Sequence, residues 1–251
     1  MSGHSKWSQI KRQKGANDAK RGAIITKVAR EISIAAREGG PDSDANYRLR
    51  LAVEKARSVN MPADNIKRAI ERASGGAAAE QYEEIVYEGY GPGGVAILVE
   101  AATDNKNRTV ADVRSIFSRA GGQLAGAGSV AWQFEPRGVI AIARDGADPD
   151  DIALTAIDAG ADDVDTDGGD VIEVLTGPAQ LQQLRQALED AGVAIESAEV
   201  TMQPRTTIEV DEQVVRQNLR LLEQLEDLDD VQRVSANFDL PAELLAEVAG
   251  A

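Results

Sequence analysis

The first apolar positions along the chain fall into a helical rhythm. Ile24, Ile25, Val28, Ile32 and Ala35/Ala36 recur at spacings of three and four, which predicts a helix over Asp18–Arg37 with one apolar stripe. "EGGPDSD" ends it, because Gly39 and Gly40 are stop signals and Pro41 cannot continue a helix. The rhythm resumes over about Ala45–Val59 through Leu49, Leu51, Ala52, Val53 and Ala56. A third helix is predicted from near Pro62, a residue suited to a first helical position, to Ser74, carrying Ile66, Ala69 and Ile70. Three short helices make one small bundle, and "SGGAAAEQ" behind them reads as a linker. Residues 1–17 show no apolar period and are expected to form an arm that stays mobile until it is bound.

Beyond the linker the period changes. "EEIVYEGY" and "GVAILVEAA" read as strands, followed by a helix over about Arg108–Ala120 and a strand near "SVAWQFE". Next comes a self-contained series: strand 138–143, helix 149–159, strand 163–166, strand 171–176, helix 178–191 and strand 194–203. This is the β-α-β-β-α-β order of ferredoxin-like domains. A strand near "TTIEV", a helix over about 211–227 and a strand near "VQRVSANF" close the chain. The pieces on either side of the series are each too short to stand alone. The predicted organisation is therefore an arm plus helical bundle (1–75), an α+β domain built from 80–136 with 205–240, and an α+β domain inserted at 137–204. The fold class is α+β multidomain: a three-helix domain followed by two α+β (ferredoxin-like) domains, the third inserted in the second.

Composition alters this picture mainly through charge. The chain of 251 residues has a formal net charge of −15, yet residues 1–74 hold sixteen basic and eight acidic residues, a net of +8. The remaining 177 residues hold eleven basic and 34 acidic, a net of −23. Such asymmetry points to a polyanion as partner of the basic part. With no cysteine, thiolate metal sites, disulfides and thiol nucleophiles are excluded. No run reaches the roughly 18 apolar residues of a membrane span, and no apolar stretch follows the first basic residues as in a secretory signal. A cytoplasmic protein without membrane contact is expected.

Few motifs carry catalytic chemistry. "GYGPGG" satisfies G-x-G-x-x-G through Gly89, Gly91 and Gly94, but a strand follows where a dinucleotide site needs a helix, so a hairpin turn is expected. "DVDTDGGDVIEV" places Asp163, Asp165, Asp167 and Gly168 as a calcium loop would, yet Val174 stands where the bidentate Glu belongs. A polar turn is the expectation there, and no metal or other cofactor is assigned. His4 is the single histidine, which excludes a two-His metal site. No nucleophile elbow or Walker loop is present, and although paired carboxylates are plentiful nothing singles one pair out as buried or cleft-lining, so an enzyme acting on a small-molecule substrate is not expected.

Two segments suit phosphate instead. "GHSKWSQIKRQK" gathers Lys6, Lys11, Arg12 and Lys14 around Trp7, and with Lys20 and Arg21 residues 1–30 reach seven net positive charges. Lysine and arginine release counterions on binding phosphates, and a tryptophan stacks on an exposed base for roughly 1–3 kcal/mol. His4 and Ser5 add polar contacts. About seventeen extended residues at about 3.3 Å each reach more than about 50 Å. The second segment is "ATDNKNRTVADV", where a strand ends and a helix begins. Asn107 or Thr109 is the expected cap, with Asp112 closing a box from Thr109. Lys106 and Arg108 are not needed for capping and could reach phosphate, so structural and binding roles both stand open.

The stretches "GHSKWSQIKRQKGANDAKRG", "NMPADNIKRAIERASG", "YEGYGPGGVAILVE", "TDNKNRT" and "GGQLAGAGSVAWQFEPRG" resemble the YebC family, in order, from residue 3 to about 240. "GADDVDTDGGDVIEVLTGP" is similar to that family's third domain, and Gln13 departs from the basic residue often found there. The family includes PmpR-type regulators and the mitochondrial translational activator of cytochrome c oxidase. The resemblance implies three domains without catalytic activity, acting either as a DNA-binding transcriptional regulator or as a ribosome-associated translation factor that relieves stalling. A flexible basic arm with a tryptophan leans toward irregular RNA, ribosomal RNA included, where bases are free to stack. The expected nucleic-acid contacts are His4, Ser5, Lys6, Trp7, Lys11, Arg12, Lys14, Lys20, Arg21, Lys106 and Arg108.

Overall fold

The computed structural model describes residues 18–74, 82–144, 148–166 and 171–239. The expected arm (1–17), the linker (75–81) and the Asp167/Gly168 part of the acidic turn lie outside the described residues.

Three helices come first: α1 (Asp18–Gly39), α2 (Tyr47–Ser58) and α3 (Ala63–Ser74). Their apolar stripes meet in one core, where Val28, Ile32, Ala35 and Ala36 of α1 pack on Leu49, Ala52, Val53 and Ala56 of α2 and on Ile66 and Ala69 of α3. The turn between α1 and α2 is organised by the buried Asn46. Its carbonyl oxygen accepts from Leu49 N at 3.1 Å as the α2 cap, while its amide donates to Ala35 O (2.7 Å) and Gly40 O (2.8 Å). Gly40 ends the first helix at φ +89°, a left-handed conformation that favours glycine.

A four-stranded antiparallel sheet follows, ordered β3-β1-β2-β8, from β1 (Glu83–Tyr90), β2 (Ala96–Thr103), β3 (Gln123–Leu124) and β8 (Val231–Ala236). It carries α4 (Lys106–Arg119) and α7 (Glu212–Glu226), which bury Val113, Ile116 and Phe117 and Val215, Leu219, Leu221, Leu222 and Leu225. "GYGPGG" is the β1–β2 turn: Tyr90 pairs with Ala96, and Gly91 N donates to Val95 O at 2.8 Å. Gly91 is glycine for want of room, since a Cβ there would lie 2.1 Å from Asn218 Oδ1. The motif therefore has a packing cause, not a pyrophosphate one.

The second sheet has the order β5-β6-β4-β7, from β4 (Phe134–Ala143), β5 (Asp163–Asp165), β6 (Val171–Thr176) and β7 (Ile195–Pro204). With α5 (Pro149–Asp158) between β4 and β5 and α6 (Leu181–Asp190) between β6 and β7, every neighbouring pair is antiparallel. That is the ferredoxin-like arrangement, the fourth strand beside the first and the third beside the second. Ile140, Ile142, Ile172, Val174, Leu181, Leu184 and Leu188 are buried in it.

The chain resolves into two compact units. One runs up to Trp132 and resumes as Ile208–Phe238; the other includes Gln133–Thr207. Two expected strands take another form. "SVAWQFE" is not a strand of the first sheet: Ala131–Gln133 is a 3₁₀ turn, and β4 begins at Phe134 and belongs to the second sheet. The two-residue β3 fills the edge of the first sheet instead, pairing Gly89 with Leu124 and Tyr90 with Gln123. "TTIEV" contributes only a single parallel bridge, Ile208 to Phe238.

Candidate nucleic-acid interface

Of the expected contact residues, His4, Ser5, Lys6, Trp7, Lys11, Arg12 and Lys14 lie outside the described residues. Lys20 and Arg21 fall in the first turn of α1, with their side chains outside what the structure describes. Lys106 and Arg108 are described, and both are engaged. Lys106 Nζ pairs with Glu83 across to β1, with both side chains more than half exposed.

Arg108, its own side chain nearly half exposed, reaches into a network centred on the buried Asp230. Its guanidinium holds Asp230 Oδ2 at 2.7 Å and Asp104 Oδ1 at 2.8 Å. Thr109 Oγ1 donates to the same Asp230 oxygen at 2.7 Å, and Thr103 Oγ1 lies 3.2 Å from it. The other carboxylate oxygen, Asp230 Oδ1, accepts from Arg30 of α1 at 2.7 Å. Arg30 also donates to Asp229 O at 2.5 Å. With Asp230 only 8% exposed and Arg30 12%, this pair joins the helical bundle to the first sheet largely shielded from water. Burial pushes the Asp230 carboxyl up, but Arg108, Thr109 and the charge of Arg30 outweigh it and hold the group below its ordinary range. The same carboxylates push the Arg108 guanidinium up.

The local sequence explains how the knot forms. Asn105, not Asn107 or Thr109, caps α4: its side chain accepts from Arg108 N at 3.1 Å. Asn105 N in turn donates to Thr103 Oγ1 at 2.9 Å. Thr109 is thereby released from capping and turned inward to Asp230. Asp112 closes no capping box and lines a crevice instead, with Asp104, Asp227, Asp229, Asp230, Arg30 and Arg108. Five carboxylates against two guanidinia leave that crevice net negative, so Arg108 stands in surroundings that repel phosphate. Asp230 is the residue sequence reasoning missed. It sits in the acidic run "DLDD" (227–230), and nothing in that run marks which of its acids turns inward.

Arg30 also lines a second cavity, of about 270 Å³, between α1 and α3. Its walls carry Arg30, Arg68, Arg72, Thr26, Ser33, Asn65 and Tyr82 over an apolar floor of Ile25, Ala29, Met61 and Ala69, with no acidic residue among them. The Arg30 guanidinium lies 5.2 Å from the Tyr82 ring centroid, within cation–π range. Among the described residues, no cluster of three His, Cys, Asp or Glu side chains is arranged to hold a metal ion. No described helix is long and apolar enough to cross a membrane.

Comparison with known proteins agrees over the whole length. A probable transcriptional regulatory protein of Rubrobacter xylanophilus is 53% identical over 251 residues, covering all of both chains. One from Chloroflexus aurantiacus is 55% identical over 249 residues, covering 98% of each. The crystal structure of a conserved hypothetical protein from Aquifex aeolicus superposes with a TM-score of 0.85 at 44% identity, over 91% of this chain and 94% of that one. Residues 5–76 match the TACO1/YebC N-terminal domain and residues 82–238 the TACO1/YebC second and third domains, so the chain belongs to the TACO1/YebC family.

Proposed function

We propose that this protein is a non-enzymatic, cytoplasmic regulator of gene expression that binds nucleic acid through its cationic N-terminal segment, with RNA on the ribosome as the favoured target. One observation carries the reading: the net +8 of residues 1–74 stands against −23 in the remainder. A polyanion is drawn to the first part and repelled by the second, which orients the molecule on its partner. Lys6, Trp7, Lys11, Arg12, Lys14, Lys20 and Arg21 are the primary contacts, with His4 and Ser5 beside them. Lys106 is a peripheral contact at most, and Arg108 is spent on Asp104 and Asp230.

The test is comigration with ribosomes on a sucrose gradient. The full chain is expected in the ribosomal fractions, and a chain lacking residues 1–20 is expected at the top. Replacement of Lys6, Lys11, Arg12 and Lys14 by glutamate should lower the slope of log K against log salt by about 0.7 per cation on a single strand. Retained comigration without the segment defeats the reading. The names of the relatives favour a second reading, a DNA-binding transcriptional regulator. On that reading a cognate promoter fragment binds at least about a thousandfold tighter than random duplex.

A further inference from the structure

We infer that the acid-free groove between α1 and α3 is a binding site for one unpaired nucleotide of a single-stranded RNA. The inference rests on the nucleic-acid reading above but concerns a separate surface, made of described residues. Arg68 and Arg72 stand one helical turn apart on the exposed side of α3, spaced to meet phosphates on either side of a base. Arg68 has no ion pair among the described residues, and what sets it apart is its place on the wall of a cavity that has no acidic residue in its lining.

The groove also suits a base chemically. Thr26 Oγ1 donates to Gly22 O at 3.1 Å and Ser33 Oγ to Ala69 O at 3.1 Å. Their protons are committed, so toward a ligand either oxygen can only accept, matching a ribose 2′-hydroxyl or an exocyclic amino group. The Asn65 side chain makes no hydrogen bond among the described residues and offers donor and acceptor together. Tyr82, already held against Arg30, supplies a stacking face. A cavity of about 270 Å³ lies just under the usual range of ligand sites, room for one planar base but not for a base pair. Arg30, which lines this cavity, has its Nε buried without a hydrogen-bond partner.

The experiment uses the full chain and an oligouridylate of roughly twelve nucleotides, within the span of single-strand binding modules, followed by fluorescence anisotropy across a salt series. Arg68→Glu with Arg72→Glu is expected to weaken binding about tenfold or more, and Arg68→Lys with Arg72→Lys to restore the salt slope. A 4-thiouridine photoadduct is expected on α1, α3 or Tyr82, a readout that long-range repulsion alone would not move. Unchanged affinity in the glutamate variant, or an adduct confined to other surfaces, overturns the groove and leaves the N-terminal segment's role standing. Equal affinity for the base-paired form, with the same loss on substitution, overturns an unpaired occupant. No binding by the unaltered chain overturns both readings.

Discussion

Arg30 separates two crevices of opposite character. On one side lie four aspartates and Arg108 around Asp230; on the other lie Arg68, Arg72 and Tyr82 with no acid in the lining. Both hold arginines, but the arginines differ in what satisfies them. In the first crevice carboxylates of the same chain already occupy the guanidinia, so the charge is used to join the bundle to the sheet. In the second, Arg68 is exposed and unpaired among the described residues, so its charge stays open to solvent and to any ligand of the groove. A count of arginines does not separate the two cases; the partners of each guanidinium do.

Stability and binding are expected to respond oppositely on the two sides of Arg30. The largest effect is expected from Asp230→Ala, which strands the largely buried Arg30 and Thr109, while the half-exposed Arg108 keeps Asp104, and should cost about 3–5 kcal/mol in urea unfolding. A loss under about 1 kcal/mol would mean that water already satisfies the site. Glu88→Gln gives the control for a buried carboxylate that has no arginine. Its oxygens accept from the backbone of Gly128 (2.6 Å), Val130 (2.6 Å) and Ala131 (2.8 Å), and a loss of about 1.5–3 kcal/mol is expected.

The two carboxylates also set the acid limb of stability. At both, burial raises the pKa but is outweighed: at Glu88 by backbone N–H donors, at Asp230 by Arg108, Thr109 and Arg30. Each folded pKa therefore lies below its unfolded value. The stabilisation is full above the ordinary carboxylate range, 3.8 for Asp and 4.5 for Glu, and is lost as pH falls through the depressed folded values. Unfolding free energy should decline below about pH 4, and less steeply in Asp230→Asn than in the unaltered chain.

Smaller effects sharpen the contrast. Thr109→Val removes one donor to Asp230 and should cost about 1 kcal/mol in the same unfolding assay. Arg68→Glu, on the open side, should change stability by no more than about 0.5 kcal/mol while weakening RNA binding. A destabilisation as large as that of Thr109→Val would make Arg68 a structural residue and remove the difference between the crevices.

Much of the fold was legible because it depends on local periodicity. The α1 stripe at Val28, Ile32, Ala35 and Ala36 buries as its spacing requires, and the ferredoxin-like series appears with its strands in the expected places. "SVAWQFE" failed because alternation describes a pleated strand but not which sheet takes it, and its first half turns instead. There Glu88, some 40 residues away in sequence, gathers the backbone N–H groups of 128–131. The cap of α4 failed for a related reason. Asn105, Asn107 and Thr109 are all competent caps by composition, and the choice fell to Asn105 once Asp230 claimed Thr109.

The sequence by itself therefore determined most of the elements, the family and the division of charge between the two ends, since each is a sum, a motif or a period along the chain. Which charges remain available was decided only by the tertiary structure. A guanidinium is neutralised by whatever carboxylate lies within a few ångströms, and Asp230 is 122 residues from Arg108 and 200 from Arg30.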